Sequence, residues 1–364
     1  LYADRFANAL YAFDDRTYTT QDRPSSFGSF YKDDTQGAIL EYGHAFGSAH
    51  ALKATAQYKH DRHRENNLGE PRRTTRDQTL SVGVEDVYQL SPKLSVLPGL
   101  GFNHRRSLRA DHYQAAAGET TAFPASRNGA LNAQVAVHYA PAGRHFLHAS
   151  VARKSRFPTI KDRYSYRLGM ALPNPGLKAE WATHYEAGYR GATAGGITLQ
   201  TSVFLSHLTD VIQQVNEVQP SLFQLQNAGR AVFYGGEFSA RSPLLPALQT
   251  EVQYSFVQRE NRSRPELKFT DVPAHKVFWS AQYDYRQRAS LWASFEYNAP
   301  RYSTSYGTRA SDYGLAHLKA SVKLYRFVSL EGGVNNALDK HYALVEGFPE
   351  EGRNYFVNLV ITHL

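Results

Sequence analysis

The chain has 364 residues, no cysteine, a formal net charge of +8 and an aromatic content of 13%. The lack of cysteine excludes a disulfide framework and thiolate metal sites or nucleophiles. No run of about 18 apolar residues occurs, which excludes a transmembrane helix, whereas a transmembrane β-strand needs only about 9–11 residues with one apolar face. The positive charge suggests an acidic partner, such as nucleic acid, anionic lipid headgroups or an anionic ligand.

Alternation of apolar and polar residues predicts about sixteen strands and no helix. The clearest example is "TLSVGVEDVYQL", residues 79–90, in which Leu80, Val82 and Val84 share one face. In chain order the predicted strands are 1–12, 36–46, 49–60, 79–90, 93–106, 128–140, 144–154, 181–191, 196–213, 223–240, 247–258, 274–285, 290–303, 314–325, 327–342 and 353–364.

The connections between these strands alternate in length. The short ones are 47–48, 91–93, 141–143, 191–196, 242–246, 287–288 and 326. The long ones are 13–35, 61–75, 107–127, 155–180, 214–222, 259–273, 304–313 and 343–352. A soluble sandwich or propeller gives no reason for such sorting, whereas an outer-membrane barrel has short periplasmic turns and long extracellular loops. The sequence therefore predicts an all-β fold, a transmembrane antiparallel β-barrel with its C-terminus on the periplasmic side.

The segment "GVNNALDKHY", residues 333–342, has polar residues where a strand pattern should continue. In a barrel one strand face meets lipid and the other the lumen. Period two directs Glu331, Asn335 and Asp339 inward, and Asn336 interrupts this pattern. We expect a β-bulge near Asn335 and Asn336 and a strand that continues beyond it.

This segment resembles one near the C-terminus of TonB-dependent outer-membrane receptors, where G-V-x-N-L-F-D-x-x-Y precedes the last hairpin. Residues 157–190, "FPTIKDRYSYRLGMALPNPGLKAEWATHYEAGYR", resemble the family's long loop followed by N-P-x-L-K-P-E and Y-E-x-G, with Ala179 in place of the usual proline. "NAGRAVFYGGEFS", residues 227–239, resembles its N-x-G-x-A…G-x-E strand. Gly352-Arg353-Asn354-Tyr355 resembles the start of its final strand, although Leu364 replaces the usual terminal aromatic.

The resemblance implies a 22-stranded barrel filled by an N-terminal plug that carries a TonB-binding segment. Residues 1–364 are then the C-terminal part of the barrel, and the plug and roughly the first six strands are not present in this chain. No charged n-region or apolar h-region begins the sequence, so we expect either a removed targeting signal or an absent N-terminal portion. The alternative is a passive diffusion porin of about sixteen strands.

The resemblance also implies active uptake, driven by the TonB–ExbB–ExbD complex through the plug, across the bacterial outer membrane. The expected ligand is scarce and anionic, such as a ferric siderophore, or a cofactor such as cobalamin, haem or a quinone cofactor. The barrel is then a passive wall without a cofactor of its own. Inward polar residues are either plug partners or merely hydrated, and they are Glu186, Glu237, Glu331, Asn335 and Asp339.

Arginine and tyrosine in the long loops suit an anionic ligand, because guanidinium groups donate in pairs and stack on planar groups. The alternatives are contact with lipopolysaccharide phosphates, solvation, or an interfacial aromatic girdle. The candidates in loop 155–180 are Arg156, Lys161, Arg163, Tyr164, Tyr166 and Arg167. The other candidates are Arg105, Arg106, Tyr306 and Arg309.

Other chemistry finds little support in the sequence. The catalytic motifs G-x-S-x-G and H-E-x-x-H and the Walker loop are missing, so we expect no enzyme. In "HDRHREN", residues 60–66, His60 and His63 point to opposite faces of a strand, and this segment is expected to be a solvated loop entry without metal. Basic residues cluster in loops of one parity and form no continuous stripe, which disfavours nucleic acid.

Overall fold

The computed structural model describes residues 1–23 and 26–362. The pair at 24–25 and the last two residues, including Leu364, lie outside the described residues. One short helix, α1 (Ile160–Tyr164), is followed by a 3-10 turn at Arg167–Gly169. The strands are β1 (Tyr2–Ala12), β2 (Phe27–Phe46), β3 (His50–Asn67), β4 (Arg73–Ser91), β5 (Leu94–Gln114), β6 (Glu119–Ala122), β7 (Arg127–Ala142), β8 (His145–Arg156), β9 (Ala171–Leu172), β10 (Glu180–Ala192), β11 (Thr198–Thr209), β12 (Ile212–Gln219), β13 (Leu222–Asn227), β14 (Ala231–Leu245), β15 (Leu248–Asn261), β16 (His275–Tyr285), β17 (Ala289–Asn298), β18 (Arg301–Tyr302), β19 (Arg309–Ala310), β20 (Tyr313–Tyr325), β21 (Val328–Asn335), β22 (Ala343–Val345), β23 (Phe348–Pro349) and β24 (Asn354–Ile361).

Sixteen of these strands form one antiparallel meander, in which each strand pairs with the next one along the chain. The order is β1, β2, β3, β4, β5, β7, β8, β10, β11, β14, β15, β16, β17, β20, β21 and β24, and β6 pairs with the far end of β5. The predicted number of strands is confirmed. Within the described part of the chain, β1 and β24 do not pair with each other, and no helix is long and apolar enough to cross a bilayer.

The connections sort by parity, as predicted, with short turns at one end of the sheet and long loops at the other. Four predicted loops are wrong in extent. Residues 27–35 of the predicted loop 13–35 belong to β2, and residues 107–114 of the predicted loop 107–127 belong to β5. Residues 61–75 belong mostly to β3 and β4, which leave a connection of only 68–72, and 214–222 is mostly the hairpin of β12 and β13. Beyond the bilayer both faces of a hairpin meet water, so the pairing continues while the apolar alternation that signals a strand disappears.

The two faces of the sheet differ sharply. Neighbours across β2, β3, β4, β5 and β7 on the apolar face are Leu40, Ala56, Val82, Phe102 and Leu131. The adjacent row on the polar face is Glu41, Thr55, Gly83, Gly101 and Asn132. The apolar face is the one that a membrane barrel turns to lipid, and the polar face lines its lumen.

The buried apolar side chains lie at the long-loop end. Examples are Tyr164, Leu177, Leu267 and Tyr313, which are 1–5% exposed. The wall itself is a single layer of strands, so close packing arises only where the loops fold onto one another and onto the polar face. The long-loop end is therefore the most densely packed part of the described chain.

The "GVNNALDKHY" segment corrects one prediction. β21 ends at Asn335 instead of continuing, and Asn336 adopts a left-handed conformation with φ of 49°. The next backbone bond, from Ala337 N to Ala316 O, is one residue out of step with the Leu318–Val334 register. The Asn336 side chain bonds the backbone of Lys340 in both directions, so this asparagine ends the strand and closes a turn.

Candidate ligand-binding mouth

Loop 157–179, called the lid below, folds onto the polar face at the long-loop end. Its helix α1 begins with a capping box, in which Thr159 and Asp162 bond each other's backbone N–H groups. Arg163 on this helix is 0% exposed and contacts the Asp77 carboxylate of β4. Its guanidinium also donates to Ser107 Oγ at 2.8 Å. This contact fixes the lid to the wall.

Arg105 of β5 binds the same carboxylate, at 3.3 Å from Nη1 to Asp77 Oδ2. It also donates to Ser126 Oγ at 3.1 Å and to the Pro158 carbonyl at 3.3 Å, where the lid begins. Asp77, Arg105 and Arg163 form the inner cluster, and each is at most 4% exposed. Two predicted ligand residues, Arg105 and Arg163, are therefore structural contacts that an incoming ligand does not reach in this conformation.

The remaining predicted residues of this region differ in accessibility. Tyr164 is 4% exposed and its hydroxyl lies 3.0 Å from Ser107 Oγ. Arg156 is half-exposed but is paired with Glu180 and, at 3.3 Å, with Asp162. Lys161 and Arg167 are exposed. These two are the accessible cations among the predicted lid residues, and Lys178 of the lid is exposed as well.

Tyr166 lies deeper, with the Arg73 guanidinium 5.3 Å from its ring centre. Its hydroxyl is buried and has no hydrogen-bond partner among the described residues. Burial raises the pKa of the Tyr166 phenol to about 12. The ring therefore packs at the base of the lid as a neutral group at physiological pH.

The hairpin of β12 and β13 joins the lid to loop 299–312. Phe223 pairs with Ala171 of the lid, and the Arg167 guanidinium lies 6.0 Å from the Phe223 ring centre. On the other side, Tyr306 Oη accepts the Asn216 N–H at 2.8 Å. Arg309 is exposed and donates to Tyr302 Oη at 2.7 Å. The structure thus brings Arg167 and Tyr306 to opposite sides of one hairpin.

Arg106 does not join the mouth. It pairs with Gln78 and Arg127 on the apolar-face parity of the sheet, whereas its neighbour Arg105 points to the polar face. Its side chain is exposed above the apolar band. The sequence grouping of Arg105 with Arg106 is wrong, because adjacent strand residues lie on opposite faces.

The predicted lumen residues fall into two groups. Glu186 pairs with His148 at 2.8 Å, Glu331 lies 3.9 Å from Lys319, and Asn335 donates to Asn354 Oδ1 at 3.0 Å. These three and Glu237, which lies beside Ser202 and Ser255, are on the polar face.

Asp339 differs from this group, since it lies in the turn after β21, beyond the wall. Its carboxylate accepts the Arg353 N–H at 2.9 Å, which lowers the pKa of Asp339 below its usual value. Its prediction as an inward strand residue is wrong, because the strand ends before it.

Two important residues were missed by sequence reasoning. One is Asp77, which resembles any strand carboxylate until the lid folds onto it. The other is Asn227, whose side chain accepts the Lys178 N–H at 3.0 Å and donates to the carbonyls of Lys178 and Asp210. Asn227 is the first residue of segment 227–239 and Lys178 lies in segment 157–190, and both segments resemble patterns of the family. These hydrogen bonds therefore join the two segments. The signal for Asn227 in the sequence was its place in such a pattern.

The 60–66 segment is part of β3, not a loop entry. His60 and His63 lie on opposite faces as predicted, and His63 Nε2 approaches Glu65 at 3.2 Å. In residues 1–23 and 26–362, no group of three or more His, Asp or Glu side chains is arranged to hold a metal ion.

Residues 1–337 match the family model described as TonB dependent receptor-like, beta-barrel. The chain belongs to this family. The TonB-dependent receptor family is one of transporters, not of enzymes.

Solved structures of the family share the fold of this receptor barrel. The copper transporter OprC matches with a TM-score of 0.84 and 17% identity, over 99% of this chain and 61% of its own. The ferric enterobactin receptor PfeA of Pseudomonas aeruginosa matches with a TM-score of 0.75 and 16% identity, over 99% and 59%. The ferric yersiniabactin receptor FyuA of Yersinia pestis matches with 0.71 and 18%, over 92% and 53%. The receptor barrel thus spans less than two thirds of these structures.

Proposed function

We propose that the chain is the C-terminal part of the barrel of an outer-membrane receptor that takes up a scarce anionic ligand with energy from the TonB–ExbB–ExbD complex. A plug and the first strands would be contributed by other parts of the protein. The observation that carries this proposal is the family match over residues 1–337, together with long loops that fold into one built mouth.

The ligand class is argued from the accessible groups at the mouth. Lys161 and Arg167 on the lid, with Tyr306 and Arg309 on loop 299–312, offer cations beside aromatic rings. Such groups bind carboxylate or catecholate oxygens through charge-assisted hydrogen bonds and stack on flat ligands. A ferric siderophore fits this chemistry, and so does an anionic cofactor such as haem, cobalamin or a quinone. The buried inner cluster acts as the support of the site.

The polar-face residues Glu186, Glu237, Glu331 and Asn335 would meet the plug, and the wall would remain passive during transport. Several of them already hold a basic or amide neighbour along the wall. A plug that inserts against this face would exchange these exposed pairs for new ones at little cost, because exposed ion pairs contribute only about 0–1 kcal/mol each.

Uptake by cells tests the proposal. A strain that produces the full-length receptor and a strain that lacks it would each be given labelled ferric siderophores and anionic cofactors. Both strains would be tested with and without a functional TonB. We expect one ligand whose uptake requires both the receptor and TonB. Single-channel recording adds a second readout, because a plugged receptor is nearly closed whereas a porin conducts. An open channel, with uptake independent of TonB, would contradict active transport.

The mouth is tested by variants of the same full-length protein. Lys161→Ala, Arg167→Ala and Tyr306→Ala combined should raise the Kd of the transported ligand at least about tenfold, since hydrogen bonds to charged groups contribute about 1.5–3 kcal/mol each. The matched control is Arg286→Ala, Arg288→Ala and Tyr325→Ala at the opposite, short-turn end of the sheet. Equal loss in both triple variants would remove the mouth as the binding site.

A further inference from the structure

Basic side chains crowd one part of the apolar face, just beyond the apolar band. On β3 and β4 the last apolar pair is Tyr58 and Leu80, and two steps of the same face later Arg62 and Arg76 lie opposite each other. Arg106 and Arg127 form a similar pair between β5 and β7. With Arg5, Lys32, Arg64 and Arg109, these residues form what we call the outer basic patch.

The patch contains like charges in direct contact positions. Side chains directly opposite on one face of an antiparallel pair have Cβ atoms about 4.5–5.5 Å apart, and like charges there destabilise the sheet. Lys32 opposes Arg64, Arg62 opposes Arg76, Arg76 opposes Arg109, and Arg106 opposes Arg127. An anion between the opposed residues of these four juxtapositions would relieve their repulsion.

The protein supplies few carboxylates here. Asp34 serves Arg62 at 3.0 Å, Arg5 at 3.5 Å and also Arg64. Asp111 serves Arg109 at 2.8 Å. In the described part of the chain no carboxylate lies within 4.0 Å of the charged nitrogens of the other members, namely Lys32, Arg76, Arg106 and Arg127. The patch therefore combines eight cations with two carboxylates, and half of its cations have no anionic partner.

Other parts of the rim carry aromatic residues at this depth, with Arg153 packed against one of them, Trp181. At the corresponding ends of β10, β17 and β24 the outward residues are Trp181, Tyr297 and Tyr355. Aromatic residues are the usual occupants of a membrane interface, where their rings sit at the headgroup level. At these three strand ends an aromatic residue lies where the patch has arginine.

We propose that the outer basic patch binds the phosphate groups of a phosphorylated outer-leaflet glycolipid, that is, lipopolysaccharide. Its position just beyond the apolar band is the depth at which lipid headgroup phosphates lie. A phosphate between two opposed guanidinium groups accepts paired hydrogen bonds from both and removes their repulsion. The proposal rests on the outer-membrane location in the proposed function and not on transport.

Binding to the purified full-length receptor in detergent tests the proposal. The probe is bis-phosphorylated lipid A, added back after delipidation and counted by native mass spectrometry. Arg76→Gln, Arg106→Gln and Arg127→Gln combined should weaken binding at least about tenfold, since each cation near an anionic lipid surface contributes about fivefold. The charge-matched control, Arg286→Gln, Arg288→Gln and Arg326→Gln at the opposite rim, should bind as the wild type does.

Further arms identify what is recognised. Dephosphorylated lipid A should bind poorly, inorganic phosphate at millimolar concentration should compete weakly, and chelation of divalent cations should leave binding intact because arginine contacts phosphate directly. A Lys variant at the same three positions should retain most of the binding. Heat-modifiable migration in gel electrophoresis would verify that each variant is folded.

Wild-type binding by the folded Gln variant, or equal binding of dephosphorylated lipid A, would overturn the proposal. Because this assay involves no uptake, its failure is distinguishable from a failure of the transport function.

Discussion

The same two strands carry two arginine clusters with opposite physical characters. On the polar face of β4 and β5, Arg105 and the lid residue Arg163 share Asp77 and are almost fully buried. On the apolar-face parity, one residue away, Arg76 and Arg106 are at least partly accessible and have no carboxylate within 4.0 Å among the described residues. An arginine in the first cluster fixes a loop, whereas one in the second offers an unpaired charge to a partner.

Charge composition alone therefore does not locate a binding surface. A guanidinium is removed from water only when hydrogen bonds and a counter-charge replace its hydration, and Asp77, Ser107 and Ser126 supply them inside. At Arg76 and Arg106, on the outer face, water or a lipid phosphate must supply the hydrogen bonds and the counter-charge.

Asp77→Asn should loosen the lid most. Loss of this carboxylate leaves two buried arginines without their anion, which costs about 3–5 kcal/mol in comparable buried pairs. Hydrogen exchange of amides 159–165, followed by mass spectrometry, should show faster opening of α1. The control is Asp61→Asn on the neighbouring strand, whose carboxylate pairs with Lys59 at 3.0 Å near solvent. Equal acceleration in both variants would contradict a special role for Asp77.

Arg105→Gln and Arg106→Gln should differ although the residues are adjacent. Arg105 donates to Asp77, Ser126 and Pro158, so its loss should lower the free energy of unfolding by about 1.5–3 kcal/mol. Arg106→Gln should not destabilise the protein. Urea unfolding in detergent, monitored by tryptophan fluorescence, measures both. The contrast between the two faces fails if the Arg106 variant is the less stable one.

Tyr166 should give an alkaline signature of the lid. Its phenol pKa is about 12 when folded and 10 otherwise. Below about pH 10 the phenol is neutral in both states, whereas between about 10 and about 12 only the unfolded state loses the proton, so stability falls as pH rises. Tyr166→Phe should reduce this loss, measured as the melting temperature at pH 9.5 and 11.5. If the melting temperatures of the wild type and of Tyr166→Phe fall equally between pH 9.5 and 11.5, the Tyr166 ring is not buried in solution.

The smallest expected effect is a gain. Arg106→Gln or Arg127→Gln should raise the free energy of unfolding in lipid-free detergent by about 0.2–1 kcal/mol, because each relieves the repulsion of a directly opposed pair. The double variant should add little more, since the repulsion is already gone. A double-mutant cycle with urea unfolding gives the coupling energy. An attractive coupling energy would contradict repulsion between Arg106 and Arg127. A gain in the free energy of unfolding that is unchanged by added lipid A would contradict the relief of this repulsion by lipid phosphate.

The wall was largely predictable from the sequence and the mouth was not. Alternating residues such as Leu80, Val82 and Val84 gave the number and parity of the strands, because a bilayer imposes period two on every crossing. Above the bilayer this pressure ends, and the extension of β3 to Asn67 left no periodic signal.

Placement of Arg163 inside and of Arg167 outside also left no local signal. It depends on where Asp77 and Phe223 lie in space, and those positions follow from loop folding rather than from neighbouring residues. The separation of Arg105 from Arg106 was within reach, because strand alternation alone assigns them to opposite faces.

The hairpin of β12 and β13 has a mechanical consequence. It contacts the lid through Phe223 and loop 299–312 through Asn216, while Asn227 at its end ties the chain back to Lys178. Displacement of any one of these three elements must strain the other two, so we expect the lid, the hairpin and loop 299–312 to open together. A receptor with such coupled loops would admit its ligand in an all-or-none step, and one cross-link between two of these elements would be enough to hold the entrance shut.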